Sequence, residues 1–183
     1  MKTAVLVLAC LFLVTGTAAL HYAGRIAAAR YGPDVAARRL EIQDWLKPRY
    51  DQKWLARFVA NSPEQAGGYA SPVLFPLDAG FALIIAMLFG LLSAIAAGLL
   101  GKSPGTIGLF LIVPLVFLLC DLTEDLLLAR LLTRAQPVTE RAVAIVQIVT
   151  SAKLLAFVVA MIQVAVTWLW VLLAWWRGRL APL

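Results

Sequence analysis

The chain has 183 residues, 62% of them hydrophobic and 14% charged, with a formal net charge of +6. Soluble domains carry about 25% charged residues, and here the apolar residues are gathered into long runs instead of being dispersed at amphipathic spacing. That balance excludes a disordered chain and a water-soluble domain, and it fits one integral membrane domain.

Crossing a hydrocarbon core as a helix takes about 20 mainly apolar residues. The first stretch that qualifies is residues 3–22. Its Met1-Lys2 start and its Thr17-Ala18-Ala19 end also fit a secretory signal peptide with a small-residue cleavage site. A chain beginning at Met1 favours an uncleaved anchor. His21, the only histidine, sits near the end of this stretch and reads as an interfacial side chain. A bis-histidine haem site is excluded within one chain.

Residues 23–74 form a long polar segment with eight basic residues. From Pro33 to Ala60 the pattern is helical, with Val35, Leu40, Ile42, Trp45, Leu46, Trp54, Leu55 and Phe58 as its apolar set and Pro48 as a break. It reads either as amphipathic helix lying on a membrane surface and on the span ends, or as a small water-exposed head. Its basic residues alternate with Glu41, Asp44 and Asp51, which argues against nucleic acid as a partner despite a sequence pI of about 9.8. Residues 61–76, with Pro63, Gly67, Gly68, Pro72 and Pro76, read as the loop that returns the chain to the bilayer.

The second span is expected at residues 75–100. It carries small residues at every fourth position, Ala86, Gly90, Ala94 and Gly98, a face suited to close helix packing within the bundle or with a partner. Shorter alanine stripes occur at Ala19, Ala23 and Ala27 and at Ala152, Ala156 and Ala160.

The third span, residues 106–128, holds Pro114, expected to kink it, and three acids, Asp121, Glu124 and Asp125. Spacings of three and four place those carboxylates on one helical face, and an ionisable group inside a span is a functional candidate by default. The fourth span, residues 142–176, offers Gln147, Thr150, Ser151 and Lys153. Folding the two as an antiparallel hairpin about residue 137 brings Asp121 level with Lys153, and Glu124 near Thr150 and Ser151. Three readings stand for this set: a polar clasp that also docks on arginines of the 23–74 segment, a binding site for an ion, proton or substrate, or a contact with a partner. Trp168, Trp170, Trp175 and Trp176, followed by Arg177 and Arg179, form an aromatic and basic anchor at the far interface.

The expected fold is therefore an all-α bundle of four transmembrane helices with a long extracytoplasmic segment between the first two. Lys2, Lys102, Arg177 and Arg179 place both termini in the cytoplasm, in a membrane of the bacterial inner type. Two cysteines inside spans give neither a disulfide framework nor a CxxC redox pair. No nucleophile elbow, phosphate loop, metal-protease helix or dinucleotide fingerprint is present, so no catalytic set, metal or cofactor is expected. The expected role is a non-enzymatic structural or accessory subunit of a larger membrane assembly or homo-oligomer. The alternative is a small transporter, channel or ion-binding protein using the acidic cluster with Lys153.

Overall fold

The computed structural model describes residues 2–31 and 52–178, and every regular element among them is helical. The order is α1 (Lys2–Tyr31), α2 (Gln52–Asn61), α3 (Pro63–Gly68), a connector (Tyr69–Asp78), α4 (Ala79–Leu99), α5 (Pro104–Leu132) and α6 (Glu140–Trp176). Three stretches are long and apolar enough to cross a membrane, Pro63–Leu99, Pro104–Leu132 and Glu140–Trp176. By that measure three of the expected spans are supported, not clearly four.

The helix ends follow from local chemistry. α4 stops at a Schellman-type turn in which Lys102 N–H donates to the Ala97 carbonyl at 3.0 Å and Gly101 takes φ 66°, a left-handed value that glycine adopts without a Cβ clash. α5 then starts at once, with Ser103 as N-cap accepting from Thr106 N–H and Pro104 in the first turn. Thr139 caps α6 in the same way, accepting from Ala142 N–H, and Glu140 complements the positive helix end. α4 packs between α1 on one side and the α5–α6 pair on the other, while α1 barely touches α5 or α6.

α5 and α6 have 29 and 37 residues, about 44 and 55 Å of helix, and their excess length projects at the 133–139 end. There a mixed core forms. Leu55, Phe58 and Val59 of α2 are buried with Leu128, Leu131 and Leu132 of α5 and Val143 and Val146 of α6. Of the expected amphipathic stretch 33–60, the part from Gln52 onward is this docked helix, and the remainder lies outside the described residues. Arg134 fastens it from below: at φ 60° it directs its guanidinium to the carbonyls of Val59 (2.6 Å) and Ala60 (3.3 Å), the last turn of α2.

The segment 61–76, expected as a loop returning the chain to the bilayer, is instead largely helical. Pro63 opens the short α3, and the connector makes helical turns broken at Ser71 (φ −145°, ψ 119°) and Phe75 (φ −124°, ψ 121°). Both residues precede a proline, whose ring forces the preceding residue out of the helical region. The same constraint sets back the start of the second span, expected at 75, to Ala79. Ala66, Tyr69, Ala70, Val73 and Leu74 from this segment lie inside the mixed core.

Away from that end the packing inverts. A smaller core joins Ala82, Ile85, Ala86, Phe117 and Ala156, with Phe157 ringed by Phe89 and Phe117 at 5.5 Å. Leu109, Ile112, Leu115, Ile148, Leu155, Ile162 and Trp176 point outward and are more than half exposed. Water would penalise such a surface by roughly 25 cal/mol for each Å² of apolar area, whereas lipid would not.

Candidate functional site

Asp121, Glu124 and Asp125 occur on α5 at the spacing that lines one face, and that face meets α6. Lys153 Nζ lies 2.9 Å from Asp121 Oδ1 and also contacts Glu124 Oε2. The Thr150 hydroxyl is within reach of two acceptors, Glu124 Oε1 at 2.8 Å and the Val146 carbonyl at 2.9 Å. All three carboxylates are buried: Asp121 is 4% exposed, Glu124 1% and Asp125 0%. Antiparallel pairing about the 133–139 turn is what sets this register, because Lys153 lies as far after the turn as Asp121 lies before it. Ser151 donates instead to the Gln147 carbonyl one turn back on its own helix, at 3.0 Å, and stays out of the ion pair.

A half-open cavity of about 590 Å³ adjoins the pair. It lies in the gap between α1 and the α5–α6 hairpin, bounded by the connector. Its polar wall is made of His21 and Arg25 from α1, Asp78 from the end of the connector, and Asp121 and Lys153. Tyr69 adds a phenol, and the other described lining residues are apolar, among them Val73, Phe81, Phe117 and Phe157. His21 stacks obliquely on Phe81, ring centres 5.8 Å apart. Asp121 Oδ2 is buried and accepts no hydrogen bond. Arg25 and Asp78 carried no expectation in the sequence, Arg25 lying just beyond the first expected span (3–22) and Asp78 at the start of the second (75–100), and only the fold brings them to the cavity that Asp121 lines.

A second polar contact crosses the bundle further along. Gln163 Nε2 donates to Ser93 Oγ at 3.0 Å and to the Phe110 carbonyl at 2.7 Å, tying α6 to both α4 and α5. The Phe110 carbonyl is four residues before Pro114, and proline has no N–H to donate to it. Gln163 supplies the missing donor. Pro114 in the sequence was the available signal, because an orphaned carbonyl inside an apolar helix needs a donor from a neighbour.

Of the small-residue face on α4, Ala86 and Gly90 are buried, Ala94 is half-buried and Gly98 is exposed. A Cβ on Gly90 would come within 3.3 Å of Leu111, so glycine there lets α5 approach. Ala86, Gly90 and Ala94 also line an apolar groove of about 540 Å³ between α1 and α5, walled by Phe12, Leu13, Leu111 and Leu115. In the aromatic belt, Lys102 lies over the Trp170 ring at 4.9 Å, a cation–π contact from the α4–α5 turn. Trp175, Trp176 and Arg177 are exposed, and the Trp168 indole N–H is buried without an acceptor. Arg179 lies outside the described residues, as do Arg38, Arg39 and Arg49 of the 23–74 segment onto which the clasp was expected to dock; of that segment's described arginines, Arg25 lines the cavity that Asp121 and Lys153 border.

No protein-family model matches the chain, and no curated protein or solved structure matches it either. What the chain does is therefore read from its own residues. Among the described residues, no group of three or more His, Cys, Asp or Glu side chains is placed to hold a metal ion.

Proposed function

We propose that the chain is a four-span integral membrane protein acting without catalysis as a structural or accessory subunit of a larger membrane assembly or homo-oligomer. In this reading α1 is the fourth span, supported by its 30-residue length and the apolar run at residues 3–22. Both termini then lie on the cytoplasmic side of a membrane of the bacterial inner type, and residues 23–74 on the opposite side.

The observation that carries the subunit role is the groove on α4. Every described residue lining it is apolar, and its floor is the small-residue face through which helices approach closely in lipid. The carboxylates of α5, by contrast, are buried, and Asp121 and Glu124 are engaged by Lys153.

Met87 borders the groove and is 53% exposed, which makes it the place to test it. In a Cys10→Ser, Cys120→Ser background, Met87→Cys should cross-link in native membranes to a second copy or to another membrane protein. A chain that stays monomeric after cross-linking and after gentle extraction ends the subunit reading.

A second reading, ion or solute binding by the acidic cluster, is favoured by one observation: Asp121 and Lys153 line the cavity at the 133–139 end. Asp121→Asn and Glu124→Gln should then abolish a pH- or ion-dependent flux in liposomes while the helices remain folded. Unchanged flux removes it.

A further inference from the structure

Among the described residues, the charged side chains that line the cavity between α1 and the α5–α6 hairpin are engaged with one exception. Lys153 is held between Asp121 and Glu124, and Asp78 has a partner of its own. Arg25 is the exception: it is exposed and makes no ion pair among the described residues. His21 precedes it by four residues and lines the same cavity, so the two side chains share one face of α1. The charge left to be met here is a positive one, and it calls for an anion.

The depth of the cavity says which anion is within reach. Lys102 over the Trp170 ring, with exposed Trp175 and Trp176 beyond it, marks one membrane boundary. Lys153 stands 17 residues before Trp170 on α6, about 26 Å along the helix axis, against a hydrocarbon core of about 30 Å. On α1 the apolar run ends at residue 22, just short of Arg25. Both helices therefore bring the cavity to the opposite boundary, where the phosphates of a bilayer lie. Leu20, Phe81, Leu154 and Phe157 supply apolar lining, and α1 barely touches α6, so the space opens sideways to hydrocarbon between those helices. Its volume, about 590 Å³, falls within the range of ligand sites, about 300–1,000 Å³.

We propose that this cavity binds the phosphate of a glycerophospholipid from the leaflet on the 133–139 side, held by Arg25 with His21 as a second donor, while the acyl chains leave between α1 and α6. A guanidinium meets phosphate oxygens with two parallel N–H groups, matching them in geometry as well as charge, and a neutral imidazole adds one N–H. The carboxylates at the cavity are already engaged, so the site reads the phosphate and not the alcohol esterified beyond it. The inference rests on the membrane reading of α1, α4, α5 and α6, and is independent of whether the chain belongs to a larger assembly.

The test uses the full chain purified in mild detergent, with lipid adducts counted by native mass spectrometry after adding phosphatidylglycerol, phosphatidylethanolamine or a glucosyl diacylglycerol with the same acyl chains. Each phospholipid should be retained at least about tenfold better than the phosphate-free lipid, a difference of about 1.4 kcal/mol. Arg25→Gln, at an exposed position, should abolish that preference with an unchanged thermal melt. Gly24 lines the same cavity, and a Cβ there would meet nothing within 4 Å. Gly24→Leu therefore fills the space without altering the charge, and should lose the lipid independently. Arg130→Gln, exposed on α5 and outside the cavity, should keep it in full. Equal retention of lipids with and without phosphate, or full retention by either Arg25→Gln or Gly24→Leu, overturns the site, as does a loss in Arg130→Gln as large as in Arg25→Gln. A tenfold preference between the two phospholipids overturns a site that reads phosphate alone. Soluble glycerol phosphate that displaces the lipid at the lipid's own concentration overturns the amphiphile. A chain recovered in the aqueous fraction without detergent refutes the membrane reading before any lipid is added, so the two failures are distinguishable.

Discussion

Near the 133–139 end, Lys153 is held between Asp121 and Glu124; ten residues further along α6, Gln163 joins Ser93 to the Phe110 carbonyl without a formal charge. Both contacts tie α6 to its neighbours, and they lie about 15 Å apart along the helix. The charged one sits beside the polar wall of the cavity and beneath the docked α2. The neutral one is surrounded by the outward-facing leucines and valines of the apolar stretch. The contrast shows how the chain rations charge: ion pairs where a polar wall is at hand, amide and hydroxyl groups where none is. It also separates two origins of polarity. Gln163 and Ser93 answer a need created by Pro114, whereas no backbone defect calls for Asp121, Glu124 and Lys153.

The comparison can be broken from the charged side first. Lys153→Met strands two buried carboxylates and should cost about 3–5 kcal/mol, the usual penalty for removing one partner of a buried pair, read as thermal or SDS unfolding in mild detergent. The triple change Asp121→Asn, Glu124→Gln, Lys153→Met should be clearly less damaging, since it removes the charge together with its partners. If the triple variant is as unstable as Lys153→Met, the clasp is not an electrostatic unit.

Gln163→Leu should be milder, about 0.6–1.7 kcal/mol, the span measured for hydrogen bonds between membrane helices. Adding Pro114→Ala restores an N–H for the Phe110 carbonyl, so the double variant should recover part of the loss. Additive losses would show that Gln163 does not serve the proline defect. The smallest effect is expected from salt. At about 1 M the Debye length is about 3 Å, yet a pair this deeply buried is screened little, so the Lys153→Met difference should be the same at low and high ionic strength. A salt-dependent difference would mean that water reaches the pair.

Much of the fold was legible because its determinants are local. Continuous apolar runs marked α4, α5 and α6 to within a few residues, and counting outward from the 133–139 turn set Asp121 opposite Lys153. The segment 61–76 was misjudged for an equally local reason. Proline and glycine are the common loop signals, and nothing within the segment shows that α2 and the projecting ends of α5 and α6 enclose it. The cavity's Arg25 and Asp78 were hidden similarly, one just beyond the first expected span and the other at the start of the second, each unremarkable until α1 packs against the connector. Gln163 was within reach, had the carbonyl released by Pro114 been followed to a donor.

The burial of Ala66, Tyr69, Val73 and Leu74 has a practical side for anyone mapping the topology of this chain. Reporter tags and protease sites are customarily inserted into proline- and glycine-rich stretches between hydrophobic segments, and 61–76 would be the first choice. An insertion there would split the packing that joins α2 to the hairpin, and a silent reporter would be mistaken for the wrong sidedness. The turn at Gly101 and Lys102 is short, exposed or half-exposed, and outside both cores. That turn is the safer place from which to ask which side of the membrane each end occupies.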